Sequence, residues 1–72
     1  MIKVYSRNNC TQCKMTKRLL VQQNMAFEEI NLDENPEARA YVKELGYSSA
    51  PVVVSGDVHF SGFRPDALKK LK

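Results

Sequence analysis

The chain has 72 residues, which is enough for one compact domain covering residues 1–72 and too few for a second domain. Its net charge is +3, from 11 basic and 8 acidic residues that are scattered, whereas a nucleic-acid surface shows a denser basic stripe. The opening MIKVYS lacks the apolar run of a signal peptide, and no segment has the ~20 apolar residues of a membrane span. We therefore expect a cytoplasmic protein that binds neither nucleic acid nor membrane.

The first part of the chain predicts a strand, a helix and a second strand. Residues 2–5 alternate and are rich in strand-forming side chains. Residues 11 to about 24 contain good helix formers, with an apolar stripe at Met15, Leu19 and Leu20. Residues 27–32 alternate again, with apolar side chains at Phe27, Ile30 and Leu32.

The next helix is the clearest in the chain. Asn35 is a candidate cap, Pro36 suits the first helical position, and Gly46 ends the helix. Between them a core-facing stripe is expected at positions i, i+3, i+4 and i+7, occupied by Ala38, Tyr41, Val42 and Leu45.

The remaining residues predict a hairpin and a final helix. Residues 52–54 and 58–60 flank the turn Ser55-Gly56-Asp57, and Pro65 opens a helix carrying Ala67, Leu68 and Leu71. The resulting order, βαβαββα, predicts a parallel first pair of strands and an antiparallel terminal hairpin. We expect an α/β, thioredoxin-like fold: a four-stranded mixed sheet flanked by three helices, with helices on both faces.

Both cysteines, Cys10 and Cys13, lie in the stretch SRNNCTQCKM, between the first strand and the first helix. A disulfide between them would make a poor staple, because in the chain-entropy model stabilisation grows with loop length. Two cysteines are also too few for a disulfide-dense secreted protein. The pair is therefore expected to be a redox-active dithiol or part of a metal site.

The predicted order of elements places Cys10 at the opening of the first helix, where free N–H groups and the helix dipole stabilise an anion. Thiols in such positions have pKa values of about 3.5–7.5, against about 8.5 for free cysteine, and the thiolate is the attacking species in disulfide exchange. Cys13 follows one helical turn later. We predict that the exposed Cys10 attacks a target disulfide and that the more buried Cys13 resolves the mixed disulfide.

Five side chains beside the thiols have expected roles. Thr11 and Gln12, between the cysteines, are expected to tune the reduction potential and to contact partners. For Lys14, Lys17 and Arg18 we expect either electrostatic support of the thiolate or simple exposure to water.

The rival interpretation is a metal site. Structural zinc takes four ligands, and the candidates here are Cys10, Cys13 and the only histidine, His59. Such a site would need a carboxylate or a second chain, and a lone strand histidine is more often a surface residue. We therefore expect no metal.

Three stretches, VYSRNNCTQCKM, SSAPVVV and FSGFRPDALKKL, resemble those of the NrdH-redoxins in order and spacing. These are small thioredoxin-fold proteins, glutaredoxin-like in sequence and thioredoxin-like in activity. The likeness runs from Ile2 to Leu71, and residues 61–65 are its most selective part.

The resemblance implies a protein disulfide reductase acting as an electron donor, with Cys10 and Cys13 as its redox pair. Its partners would be the large subunit of class Ib ribonucleotide reductase, whose disulfide it reduces after each deoxyribonucleotide is made, and thioredoxin reductase, which recharges it. NADPH and flavin belong to that reductase, so this chain needs no bound cofactor. We expect a monomer.

The resemblance also implies a substrate-binding backbone. Ala50-Pro51 matches the proline that thioredoxin-fold proteins hold cis beside the active site, where an extended substrate can pair with the backbone of Ala50. The loop after the last strand is expected to dock partners through Ser61, Gly62, Phe63 and Arg64.

Two alternative functions stay open. Arg7, three residues before Cys10, suits a glutathione carboxylate, so a glutathione-dependent glutaredoxin is the first alternative. The second is a cluster-bridging module that uses Cys10 from two chains.

Overall fold

The computed structural model describes residues 1–71; Lys72, the last residue of the predicted domain, lies outside them. Seven elements follow in the predicted order: β1 (Ile2–Ser6), α1 (Thr11–Gln22), β2 (Phe27–Asn31), α2 (Pro36–Glu44), β3 (Val52–Ser55), β4 (Val58–Ser61) and α3 (Pro65–Lys69). Helix α1 ends before the predicted Asn24, because that residue has a φ of 59°, in the left-handed region where helices stop. In the part of the chain described, no helix is long and apolar enough to cross a membrane.

The strands form a four-stranded mixed sheet in the order β2-β1-β3-β4. The β1–α1–β2 crossover makes β1 and β2 parallel, while β3 runs antiparallel to both β1 and β4. The two inner strands are therefore β1 and β3. Because they are antiparallel, the residues that follow β1 and those that precede β3 lie at the same end of the sheet. The predicted thioredoxin-like fold is confirmed.

Each face of the sheet has its own apolar cluster, because neighbouring side chains of a strand point to opposite faces. One cluster lies under α1 and α3 and contains Ile2, Val4, Leu20, Val53, Phe60 and Leu68. The other lies under α2 and contains Tyr5, Leu32, Ala38, Val42 and Val52. Leu20 of α1 and Leu68 of α3 are fully buried, so these two helices are held on the sheet mainly by apolar packing.

Two predicted core positions are wrong. Met15 is 36% exposed, because the buried face of α1 is formed instead by Cys13, Thr16 and Leu20. Tyr41 is 40% exposed and packs its ring at the edge of α2 against Tyr5, with centroids 5.6 Å apart. The buried face of α1 thus begins at Cys13 and continues into the apolar core.

Candidate active site

Cys10 and Cys13 form a disulfide at the start of α1, with their Cα atoms 5.2 Å apart. Cys10 is the N-cap residue: its backbone is extended, with φ −112° and ψ 105°, and its carbonyl accepts the N–H of Lys14 at 3.2 Å. Its Sγ takes the place of the usual capping oxygen and accepts the N–H of Cys13 at 3.1 Å. The sulfur of Cys10 therefore accepts a hydrogen bond from the backbone of the first helical turn.

The two sulfur-bearing residues differ in access. Cys13 is 1% exposed and lies on the buried face of α1, whereas Cys10 is half-buried. The first turn of α1 contains no acidic side chain, so no negative charge on that turn opposes an anion at Cys10. Of the two sulfurs, the Cys10 sulfur is the one that an incoming group can approach.

The loop between β1 and Cys10 is anchored to the end of β2. The carboxylate of Asp33 accepts the N–H of Asn8 at 2.8 Å and the Nε–H of Arg7 at 3.3 Å. The Asn31 side chain also donates to Oδ1 of Asn8, at 2.9 Å. The Asn8 N–H, helped by Arg7, holds the pKa of Asp33 below its usual range, so this acceptor stays ionised at neutral pH. The anchor fixes the path by which the chain enters α1.

The segment before β3 contains a cis peptide bond between Ala50 and Pro51. Pro51 is buried, and its carbonyl accepts the N–H of Gly62 at 2.8 Å. Ala50 is half-buried, and neither its N–H nor its C=O forms a backbone hydrogen bond within residues 1–71. Both groups are thus available to pair with the backbone of an extended peptide.

One side chain from between the cysteines reaches the loop that follows β4. Gln12 Oε1 accepts the backbone N–H of Phe63 at 3.1 Å and lies 3.6 Å from the position that a Cβ would take at Gly62. Gly62 has a φ of 84°, which favours glycine. Together with the Gly62–Pro51 bond, this contact links the start of α1, the start of β3 and the loop after β4. It joins residues 51 positions apart, and nothing in the sequence pattern pointed to it.

The other predicted partner-binding residues lie around this link. Arg64 places its guanidinium 5.8 Å from the centroid of the Phe60 ring and pairs with Asp66 at 3.1 Å, which lowers the pKa of that carboxyl. Thr11 is exposed at the start of α1, and Ser61 is paired with Val52 in the sheet. The contacts of Arg64 therefore brace the start of α3.

Of the three basic residues beside the thiols, Lys14, Lys17 and Arg18, one is paired and two are exposed. Lys17 Nζ binds Oε2 of Glu29 at 2.6 Å, and the Ser6 hydroxyl donates to the same oxygen at 2.7 Å. These bonds, that of Lys17 first, lower the pKa of Glu29. Lys14 and Arg18 are exposed. The ammonium of Lys17 is therefore paired with a carboxylate of β2.

His59 contacts an aromatic residue. Its Nδ1 lies 2.7 Å from the Tyr47 hydroxyl, and the two rings meet edge to face with centroids 5.5 Å apart. Within residues 1–71, no group of three or more His, Cys, Asp or Glu side chains is arranged to hold a metal ion.

A thioredoxin-like sheet with a disulfide where the first helix begins defines a class, the thiol–disulfide oxidoreductases of the thioredoxin fold. The glutaredoxin family model matches residues 2–60. The chain is 54% identical over 71 residues to the glutaredoxin-like protein NrdH of Lactococcus lactis subsp. lactis, covering 99% of each chain. It is 44% identical over 70 residues to that of Escherichia coli K12, covering 97% of this chain and 86% of the relative.

The solved structure of the Escherichia coli NrdH-redoxin matches with a TM-score of 0.95 at 44% identity, covering 99% of this chain and 93% of that one. The chain belongs to the glutaredoxin family and, within it, to the NrdH-redoxins. The predicted resemblance and the predicted enzyme class, a thiol–disulfide oxidoreductase, are confirmed.

Proposed function

We propose that this chain is a dithiol electron carrier that reduces protein disulfides, with Cys10 as the attacking thiol and Cys13 as the resolving thiol. The observation that carries the proposal is the 3.1 Å contact from the Cys13 N–H to the Cys10 sulfur, at the start of a 12-residue helix. An N–H group and a helix dipole in this arrangement stabilise the thiolate, which is the nucleophile. The 1% exposure of Cys13 suits a thiol that acts only after the target is attached.

The exchange takes place in two steps. The Cys10 thiolate attacks one sulfur of the target disulfide, the target's S–S bond breaks, and its second sulfur leaves as a thiolate that takes up a proton. Cys13 loses its proton and attacks Sγ of Cys10, which breaks the mixed disulfide and releases the second target thiolate for protonation. The target gains two electrons and two protons, and the chain is left with the Cys10–Cys13 disulfide.

Target binding is assigned to the segments that surround the disulfide. An extended target segment pairs with the free backbone groups of Ala50, beside Pro51. Gln12 sets the position of the loop after β4 through its bond to Phe63. The remaining contacts come from residues at the margins of this surface: Arg7, Thr11, Ser61, Gly62 and Arg64.

The proposed target is the large subunit of class Ib ribonucleotide reductase, and the proposed electron source is thioredoxin reductase with its flavin and NADPH. Support comes from the Escherichia coli NrdH-redoxin, a glutaredoxin-like protein with a thioredoxin-like activity profile. The chain acts as a cytoplasmic monomer in this proposal, with the Cys10–Cys13 pair as its only redox group.

Trapping of the mixed disulfide tests the roles of the thiols and the target. A Cys13→Ser variant keeps the attacking thiol but removes the resolving one, so it should accumulate a disulfide between Cys10 and the large subunit. A Cys10→Ser variant is the matched control and should trap little. Efficient trapping by Cys10→Ser and not by Cys13→Ser would reverse the assignment.

A coupled assay separates the two candidate electron sources. With thioredoxin reductase, NADPH and insulin, but without glutathione, the chain should sustain rapid NADPH oxidation. Turnover that requires glutathione and glutathione reductase would instead support a glutathione-dependent glutaredoxin, with Arg7 as its candidate carboxylate contact.

A further inference from the structure

The side chain of Thr16, on the buried face of α1, carries a hydroxyl without a hydrogen-bond partner. Thr16 is 0% exposed, and within residues 1–71 neither an oxygen nor a sulfur is placed to form a hydrogen bond with its Oγ1. By contrast, the buried hydroxyl of Ser6 donates to Oε2 of Glu29 at 2.7 Å. A buried polar group without a partner costs free energy, so the position of this hydroxyl needs a physical reason.

The helix backbone offers this hydroxyl two acceptors that it does not use. A threonine within a helix commonly donates to the carbonyl three or four residues earlier, which here belongs to Cys13 or Gln12. Neither carbonyl accepts the Thr16 hydroxyl. The hydroxyl proton is therefore left available to a side chain.

The side chain that the helix places beside Thr16 is that of Cys13, one helical turn earlier on the same buried face of α1. Side chains three residues apart on a helix have Cβ atoms about 5–6 Å apart, and each Cα–Cβ bond tilts towards the N-terminus. The side chain of Thr16 therefore lies over the turn that contains Cys13. In the oxidised chain the Cys13 sulfur is held by its bond to Cys10, whereas reduction lets it turn about its Cα–Cβ bond.

We infer that the Thr16 hydroxyl donates a hydrogen bond to the Cys13 sulfur once the disulfide has opened, which makes Thr16 a positioning residue for the resolving thiol. The inference rests on the role proposed for Cys13 and adds a residue that serves it. Cys13 is 1% exposed, so water can do little to stabilise the thiolate that it must form before it attacks. A buried hydroxyl that is already in place supplies this stabilisation without reorganising solvent.

The same hydrogen bond makes the reduced chain more favourable relative to the oxidised chain. The hydroxyl has no partner while the disulfide is closed, and it gains one when two electrons and two protons convert the disulfide to two thiols. A hydrogen bond of this kind changes an equilibrium constant by about three- to tenfold. Thr16 therefore raises the reduction potential, whereas a hydroxyl that stayed unpartnered in both redox states would leave the potential unchanged.

The test compares Thr16→Val, which replaces the hydroxyl by a methyl group of similar size, with Thr16→Ser, which keeps the hydroxyl. Each chain is equilibrated with mixtures of reduced and oxidised dithiothreitol, which exchange two electrons and two protons with the cysteine pair. The equilibrium of Thr16→Val should lie about three- to tenfold further towards the disulfide than that of the unmodified chain, a fall in potential of about 15–30 mV. Thr16→Ser should stay close to the unmodified chain.

The potential separates this role from a purely structural one. An unchanged or raised potential in Thr16→Val, or an equal fall in both variants, would overturn the inference, because each result assigns Thr16 to packing alone. Urea unfolding of both redox forms is an independent check. Thr16→Val should stabilise the oxidised chain more than the reduced chain, by the same factor as the shift in the dithiothreitol equilibrium, and equal stabilisation of the two forms would contradict the inference.

The rate of resolution gives a second readout. When the reduced chain is mixed with an excess of a disulfide-containing peptide and quenched with acid, Thr16→Val should contain a larger fraction of mixed disulfide at Cys10 than Thr16→Ser, because Cys13 resolves it more slowly. Equal fractions would count against the role of Thr16. If the unmodified chain does not reduce the peptide at all, the proposed function itself fails, while the dithiothreitol equilibrium, which needs no target, still decides the role of Thr16.

Discussion

Reduction of the Cys10–Cys13 disulfide should leave the chain folded and lower its free energy of unfolding only slightly. The bond closes a loop that runs only from residue 10 to residue 13. For a loop of four residues the chain-entropy relation gives about 1.9 kcal/mol of stabilisation. A chain of this length is expected to have about 4–10 kcal/mol in total, so the fold survives the loss.

The helix start offsets part of this cost. A negative charge at a helix N-terminus contributes about 0.3–1 kcal/mol, so ionisation of Cys10 stabilises the reduced chain. The net loss on reduction is therefore expected between about 1 and 2 kcal/mol at neutral pH. Urea unfolding of the oxidised chain, with and without a phosphine reductant, measures it directly, and the slope m should be unchanged.

The double variant Cys10→Ser, Cys13→Ser is the control, because its stability should not respond to the reductant. Reduction that unfolds the chain, or that lowers the free energy of unfolding by more than about 4 kcal/mol, would show that the disulfide is a structural staple. An electron carrier needs both redox states to be folded, and such a result would refute the reasoning from loop length.

Three further predictions concern side chains around the site. The Thr16 hydroxyl is fully buried and has no hydrogen-bond partner within residues 1–71, so Thr16→Val should stabilise the oxidised chain by about 1 kcal/mol in urea unfolding. Folding lowers the pKa of Glu29, so its contacts stabilise the chain fully at a pH above the pKa that Glu29 has in the unfolded chain. This stabilisation is lost as the pH falls through the pKa that Glu29 has in the folded chain. Because the Lys17 pair is partly exposed, Glu29→Gln should cost less than about 1 kcal/mol at neutral pH and nothing once the pH lies well below the lowered pKa of Glu29. Gln12→Ala should speed hydrogen exchange of the Phe63 amide about tenfold, because that N–H loses its acceptor.

Each of these predictions has a control on the same element. Thr11→Val, at an exposed position of α1, should not stabilise the chain, and an equal gain there would point to helix propensity instead. Glu28→Gln, on the neighbouring residue of β2, makes the same charge change without removing the bonds of Glu29 to Lys17 and Ser6, so an equal effect in it would assign the result to net charge. Gln12→Glu keeps an acceptor oxygen and should preserve the slow exchange; fast exchange in it would contradict the assigned bond.

The order and pairing of the elements could be predicted because local patterns determine them. Pro36 with its Asn35 cap marked the start of α2, and the Asn35 side chain does accept the N–H of Ala38, at 3.1 Å. The position of the cysteines followed from the strand before them and the helix after them. The errors at Met15 and Tyr41 arose because an apolar residue beside the true buried stripe of a helix looks like part of it in sequence.

The polar contacts of the site could not be predicted. The Gln12–Phe63 bond and the Lys17–Glu29 pair join exposed or half-exposed groups on different elements, and no periodicity marks such partners. Arg7 could be placed near the site from its spacing to Cys10, but its binding to Asp33 depends on how β1 and β2 pair. Periodicity indicates burial, whereas these bonds depend on the tertiary arrangement.

The most direct test of the account is a titration of the Cys10 thiol in the reduced chain, followed by its rate of alkylation as a function of pH. Cys10 should be half-ionised at a pH clearly below the value of about 8.5 for free cysteine, and Cys13 should react far more slowly. Half-ionisation at or above that value, or faster alkylation of Cys13, would contradict it.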